Sequence, residues 1–171
     1  ANMWINTGEI ADNGIDDDGN GYIDDIHGVS TVGTQYSGES GDPMDDHGHG
    51  THVAGIIAAS GNNNIGGLGV AYNVQIMAIK AAQSSGSLAS SDIAEAINYA
   101  HEMGADVINM SFGGYGRGTL EEEALSKAFG NAVLISSAGN DSIPNLPYPD
   151  VGADSFPAAY PWVLGVMAER E

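Results

Sequence analysis

Apolar runs at residues 74–79, 107–110, 132–136 and 163–167 alternate with helix-compatible stretches, and that rhythm restricts the fold more than any other feature. The runs are four to six residues long, the length of strands and too short for helices. Helices of about 10–15 residues between strands act as crossovers, and crossovers join parallel strands. The expected architecture is therefore α/β, a mostly parallel sheet with helices on both faces.

The helical stretches carry their own punctuation. Asp92 with Glu95 is a candidate capping box for a helix with Ile93, Ala96, Ile97 and Ala100 on one face, and Gly104 is its stop. Thr119 with Glu122 opens a second, with Leu120, Ala124, Leu125 and Ala128 inward and Gly130 closing it. A third, over 49–59, reads as a buried helix with small residues at Ala54, Gly55 and Ala58. Ahead of it, residues 2–46 are rich in Gly, Asp and Asn, have little periodicity, and read as loop. The 171 residues fit one domain, a loop-rich insertion over 1–46 and a βα core over 47–171, with no internal repeat.

Charge narrows the partners. Four basic residues against 23 acidic ones give a formal net charge of −19, which argues against nucleic acid and anionic membrane surfaces. Self-repulsion of this size opposes the compact state unless cations offset it, so bound metal or a salty medium is expected. There is no cysteine, which removes disulfides and thiolate chemistry. No apolar run approaches the roughly 20 residues that span a bilayer. The chain shows no signal peptide, as expected of a mature or excised fragment.

Chemistry concentrates in two segments. Residues 46–55, Asp-His-Gly-His-Gly-Thr-His-Val-Ala-Gly, pack three histidines among glycines at the start of a helix. An imidazole there is exposed, and since the side chain's unperturbed pKa lies near neutrality, it can serve as a general base. Zinc is the competing reading, with Asp45, Asp46, His47, His49 and His52 as donors, but the spacing departs from catalytic zinc motifs. His101 reads as an ordinary solvated residue. In the second segment, Asp16, Asp18 and Asn20, then Gly21, stand at positions 1, 3, 5 and 6 of an EF-hand-like Ca2+ loop. The Tyr22 carbonyl falls at position 7 and Asp24 at position 9. Position 12 is His27 rather than a bidentate Glu, so Asp25 is expected to close the sphere from a tighter loop.

The histidine run closely resembles the H-G-T-H-V-A-G motif of the subtilisin-like serine proteases. The resemblance implies that His49 is the catalytic base. Ser136-Ser137-Ala138-Gly139-Asn140 resembles the family's A-A-G-N segment, which implies that Asn140 donates to the oxyanion. Residues 107–114 resemble its substrate strand, V-I-N-M-S-L-G-G. Ser111, Phe112, Gly113 and Gly114 would then face an extended peptide, Phe112 lining an apolar subsite and Gly113 allowing close approach. Residues 156–161 are similar to Y-P-x-x-Y-P, which implies a cis bond at Phe156–Pro157. A related acidic insertion precedes the histidine in several larger bacterial members, in keeping with calcium.

The resemblance implies a subtilisin-like three-layer fold truncated at both ends. Neither the family's first catalytic strand, ending in Asp-Ser/Thr-Gly, nor its nucleophile motif G-T-S-M-A is matched here. The expected function is that of a segment of a calcium-dependent serine endopeptidase using an Asp-His-Ser triad, inactive as it stands because only the His is present. Two alternatives stay open: a non-catalytic, calcium-dependent peptide-binding module, and a metal-dependent hydrolase centred on His47, His49 and His52. A peptide or protein substrate is the expected partner, the location secreted or periplasmic. Unpaired sheet edges predict a homo-oligomer or an exchange of elements between copies.

Overall fold

The computed structural model describes residues 2–33, 42–140 and 155–167. Its contacts define two compact units that divide between Ala96 and Ile97. Both pair short parallel strands and carry helices, an α/β arrangement.

In the first unit, β1 (Gly28–Ser30) runs parallel to β2 (Ala78–Lys80), with Val29 opposite Ile79. The N-terminal residues extend this edge: Met3 bridges Ile76, and the Trp4 amide donates to the Ile76 carbonyl at 2.9 Å. β1 falls inside the stretch whose composition reads as loop. Three residues show no periodicity, and the strand exists because its long-range partner lies beside it. Gly28 is required there, since its φ is +126° and a Cβ would come within 1.8 Å of the Ala78 carbonyl oxygen. The expected strand over 74–79 is realised as the bridge at Ile76 followed by β2.

Helix α1 (His49–Ala58) starts where the glycine-flanked histidines place it. The expectation of a buried helix is not met: Ala58 is its one buried residue and Ile56 is 56% exposed. Small residues let a neighbour approach closely but do not supply one, and among the described residues nothing beyond the helix's own backbone and Gly55's chain neighbours lies within 4 Å of a Cβ at Gly55.

Helix α2 (Ser90–Glu102) begins two residues before Asp92, so the expected capping box does not form. Glu95 instead accepts a 2.5 Å hydrogen bond from the Tyr22 hydroxyl. Ile93, Ile97 and Ala100 are buried as the pattern requires. The helix ends in a Schellman motif, with the Ala105 amide on the Ala100 carbonyl, the Gly104 amide on the His101 carbonyl, and Gly104 at φ +77°.

The second unit holds a three-stranded parallel sheet in the order β3 (Val107–Met110), β5 (Val133–Ser137), β7 (Leu164–Val166). Val107 lies opposite Val133, and Ile135 opposite both Asn109 and Leu164. Ile108, Met110 and Leu134 are buried on one face. On the other, Val107, Val133, Leu164 and Val166 are each more than half exposed among the described residues. A short antiparallel pair joins β4 (Gly114–Tyr115) to β6 (Ser155–Phe156), and the Phe156–Pro157 bond is cis.

Helix α3 (Thr119–Ala128) buries Ala124, Leu125 and Ala128 as expected. Leu120 does not turn inward but is exposed, and Glu121 is buried in its stead. The Thr119–Glu122 box is also absent. Gly118 occupies the N-cap, and Glu122 takes a bidentate pair from Arg117, whose Nε donates to Oε2 at 2.7 Å. A bidentate guanidinium outcompetes a weak capping contact for the same carboxylate. Tyr160 stacks on Trp162 at 5.8 Å and donates its hydroxyl to the Gly118 carbonyl at 3.1 Å, fixing the entry to α3.

Candidate active site and acidic loop

His49 is the first residue of α1 and is exposed. Gly48 before it adopts φ +94°, a left-handed turn that swings the chain into the helix. Asp45 holds this turn. Its Oδ1 accepts from the amides of His47 (2.9 Å) and Gly48 (2.8 Å). Its Oδ2 accepts from the Thr51 amide (2.8 Å) and the Thr51 hydroxyl (2.6 Å). These four donors, the Thr51 hydroxyl foremost, hold the Asp45 carboxyl far below the usual carboxylate range. Asp46 pairs with Lys80 at the end of β2, and Lys80 also donates to the Ala82 carbonyl at 3.0 Å. The His47 ring lies edge-on to His49, with centroids 6.4 Å apart, and packs over Gly86.

Sequence reading weighed Asp45 only as a zinc donor and missed its part in the turn. The available signal was an Asp three residues before a glycine N-cap and six before a hydroxyl residue in the first helical turn. The zinc reading fails on geometry. Among the described residues, one group of three or more His, Asp or Glu brings its ligand atoms together, and it contains no histidine.

That group is Glu9, Asp16 and Asp18, whose carboxylate oxygens lie within 4.8 Å of one another. Oxygens coordinated to calcium at about 2.3–2.6 Å can stand at most about 5 Å apart, so the spacing fits a hard divalent cation. Asp16 is shaped by the Gly19, Asn20 and Gly21 amides, all donating to its carboxylate at 2.7–3.1 Å. Asp18 accepts from the Asn20 amide at 3.0 Å and from Asn6 Nδ2 at 2.9 Å. The Asn20 Oδ1 accepts from the Tyr22 amide, while its Nδ2 reaches Asp25 at 2.8 Å. Asp25, fully buried, also accepts from Asn6 Nδ2 at 2.9 Å.

The metal set read from the sequence changes here, and neither Asp24 nor Asp25 is in the converging group. Asp24 aims its two oxygens at the amides of Asn13 and Gly14 and does not join the converging group. Glu9, not considered from sequence, joins it while accepting from the Asp17 and Asp18 amides through Oε1 and from the Asp24 amide through Oε2. It stands outside the EF-hand register, so loop spacing could not reveal it.

In the second unit, Ser111 accepts from Asn109 Nδ2 at 2.8 Å, just past the end of β3. The Phe112 carbonyl accepts from the hydroxyls of Ser137 (3.2 Å) and Ser136 (3.5 Å), which ties this segment to β5. Gly113 is exposed, and a Cβ there would come within 2.6 Å of Ser155 Oγ. Gly114 pairs with Phe156. Asn140 is exposed and follows Gly139, at φ +95°. The structure thus brings the Phe112 carbonyl and the serines preceding Asn140 together.

The sequence profile of the Subtilase family matches residues 9–171. The chain is 41% identical over 146 residues to a thermophilic serine proteinase of Bacillus sp. (strain AK1), covering 84% of this chain and 34% of that protein. It is 42% identical over 132 residues to subtilisin DY of Bacillus licheniformis, covering 77% and 46%. Subtilisin-like protease 1 of Plasmodium berghei (strain Anka) is 36% identical over 173 aligned residues, covering 99% and 28%. With an exposed glycine-flanked histidine opening a helix and a profile match over most of its length, this chain belongs to the subtilase family. It spans less than half the length of each of these relatives. No described helix is long and apolar enough to cross a membrane.

Proposed function

We propose that this chain is the histidine-bearing segment of a calcium-requiring, subtilisin-like serine endopeptidase that works outside the cell or in a periplasm. His49 takes the proton from a serine hydroxyl as it attacks the peptide carbonyl, then returns it to the leaving amine. Asn140 donates its amide to the oxyanion that develops, and residues 111–114 hold the extended peptide beside it. The carrying observation is His49, exposed at the first turn of α1 on a loop fixed by Asp45.

Neither the serine nor the acid of the triad is matched among the 171 residues, so the chain alone should not turn over substrate. A fluorophosphonate probe is expected to label the complete gene product stoichiometrically and to leave the 171-residue chain unlabelled. Labelling of the short chain would refute this assignment of the nucleophile. Peptide binding by the complete product without labelling would favour the non-catalytic module.

Glu9, Asp16 and Asp18, with Asn20 and the Tyr22 carbonyl, are the residues that would hold calcium, and the convergence of the three carboxylates supports that reading. The ion would neutralise part of the net charge and stiffen the insertion. Zero cysteine and high acidity support an extracellular location.

The isolated chain should also associate with a second copy through the open face at Val107, Val133, Leu164 and Val166. Both faces of parallel sheets are ordinarily covered, and among the described residues these four apolar side chains are not. Sedimentation at micromolar concentrations is expected to give a dimer or larger species, shifted toward monomer by Val133→Asp. A monomer at every concentration would count against it.

A further inference from the structure

We propose that Asp45 is a positioning residue for His49, acting through the backbone that carries it. This rests on the reading of His49 as the base. The carboxylate stands between the loop and the helix and binds donors on both sides of His49: the amides of His47 and Gly48 before it, the amide and hydroxyl of Thr51 after it. His49 is therefore enclosed in a ring closed at one carboxylate. The first-turn amides of a helix have no intrahelical partner, so Asp45 supplies an acceptor that the glycine N-cap cannot.

The neighbours anchor the same loop elsewhere. Asp46 is held by Lys80, and the His47 ring by contact over Gly86. Three consecutive side chains thus tie the approach to His49 to three different places in the first unit. Of these ties only Asp45 reaches past the histidine into the helix. Gly48 makes that tie necessary, because a glycine at φ +94° has no side chain to limit its dihedrals. Without the carboxylate, the amides of His47, Gly48 and Thr51 lose their acceptor, the left-handed turn into the helix loosens, and the imidazole samples several directions. A base must stay within hydrogen-bond reach of its proton donor, so such freedom lowers turnover while leaving substrate affinity alone.

The test uses the 171-residue chain, isotopically labelled, with the imidazole Cε1–Hε1 signals of its five histidines resolved by NMR. Asp45→Ala should move or split the His49 signal, leave His27 and His101 unchanged, and speed amide exchange at Gly48 and Thr51 on the order of tenfold. Asp45→Asn, which keeps one acceptor oxygen, should restore part of both readouts. Thr51→Val, removing only the hydroxyl, should shift His49 in the same direction by less, and it gives a reading even if the alanine variant does not fold. A His49 signal indifferent to both Asp45→Asn and Thr51→Val overturns the proposal, whether or not the protein is a protease. In the complete gene product, Thr51→Val and Asp45→Asn should lower kcat several-fold with KM unchanged. A change in KM alone, or in neither constant, overturns it as well. A complete product with no peptidase activity would instead refute the reading of His49 as base, while the NMR result would still stand as a statement about the loop.

Discussion

Replacing His49 by alanine in the complete gene product is expected to lower kcat on a peptide substrate by about 10⁶-fold, the scale known for the histidine of subtilisin itself. The size follows from the role. Without a base the serine attacks as a neutral hydroxyl, and the leaving amine departs without a donated proton. KM should change little, because a catalytic base touches the reacting atoms and not the length of the peptide. Asn140→Ala should cost less, about 10²–10³-fold, as for loss of one oxyanion donor in subtilisin. His52, three residues further on α1, is the control, and His52→Gln should stay within a few-fold of wild type. A His49→Ala enzyme retaining a tenth of its activity would remove this histidine from the mechanism.

Calcium should raise the unfolding midpoint of the 171-residue chain by about 5–10 °C. A site filled at 100 times its dissociation constant stabilises by about 2.7 kcal/mol, and a domain of this size gains about 2–4 °C per kcal/mol. The proposed donors include three carboxylates whose oxygens lie within 4.8 Å, one of them on Glu9, which is 9% exposed. Charges of one sign so close repel, and the backbone amides around Asp16 and Glu9 offset only part of that. A chelator should reverse the gain. Glu9→Gln and Asp18→Asn should abolish the response to calcium, and Asp106→Asn, on the surface of the other unit, should not. Magnesium should substitute poorly, since it demands a smaller octahedral shell. Equal midpoints in calcium and in chelator would dismiss the site.

The contrast between Asp24 and Glu9 marks where loop spacing stops being informative. An EF-hand register counts along the chain, and Asp16 and Asp18 obey it because consecutive turn residues cannot move far apart. Asp24 adopts φ +54°, which turns its carboxylate toward Asn13 and Gly14 and away from the group. Glu9 arrives from seven residues upstream of Asp16, along a path that no local count describes. The capping boxes failed for separate reasons: α2 begins two residues before Asp92 and Tyr22 reaches Glu95 from far along the chain, while Gly118 takes the N-cap of α3 and nearby Arg117 binds Glu122.

Sequence alone determined what depends on neighbours along the chain. It placed the start of α1 at His49, the glycine stop at Gly104, the strands β3, β5 and β7, and the family. Each follows from a period, a dihedral that only glycine adopts readily, or a motif read in order. Tertiary structure decided whatever depends on groups distant in sequence: the β1–β2 pairing, Glu9 beside Asp16, the burial of Glu121 in place of Leu120, and the open face of the β3–β5–β7 sheet. Asp45 lies between the two. Its donors are all within six residues, yet its role depends on the left-handed turn at Gly48, which fixes their directions in space.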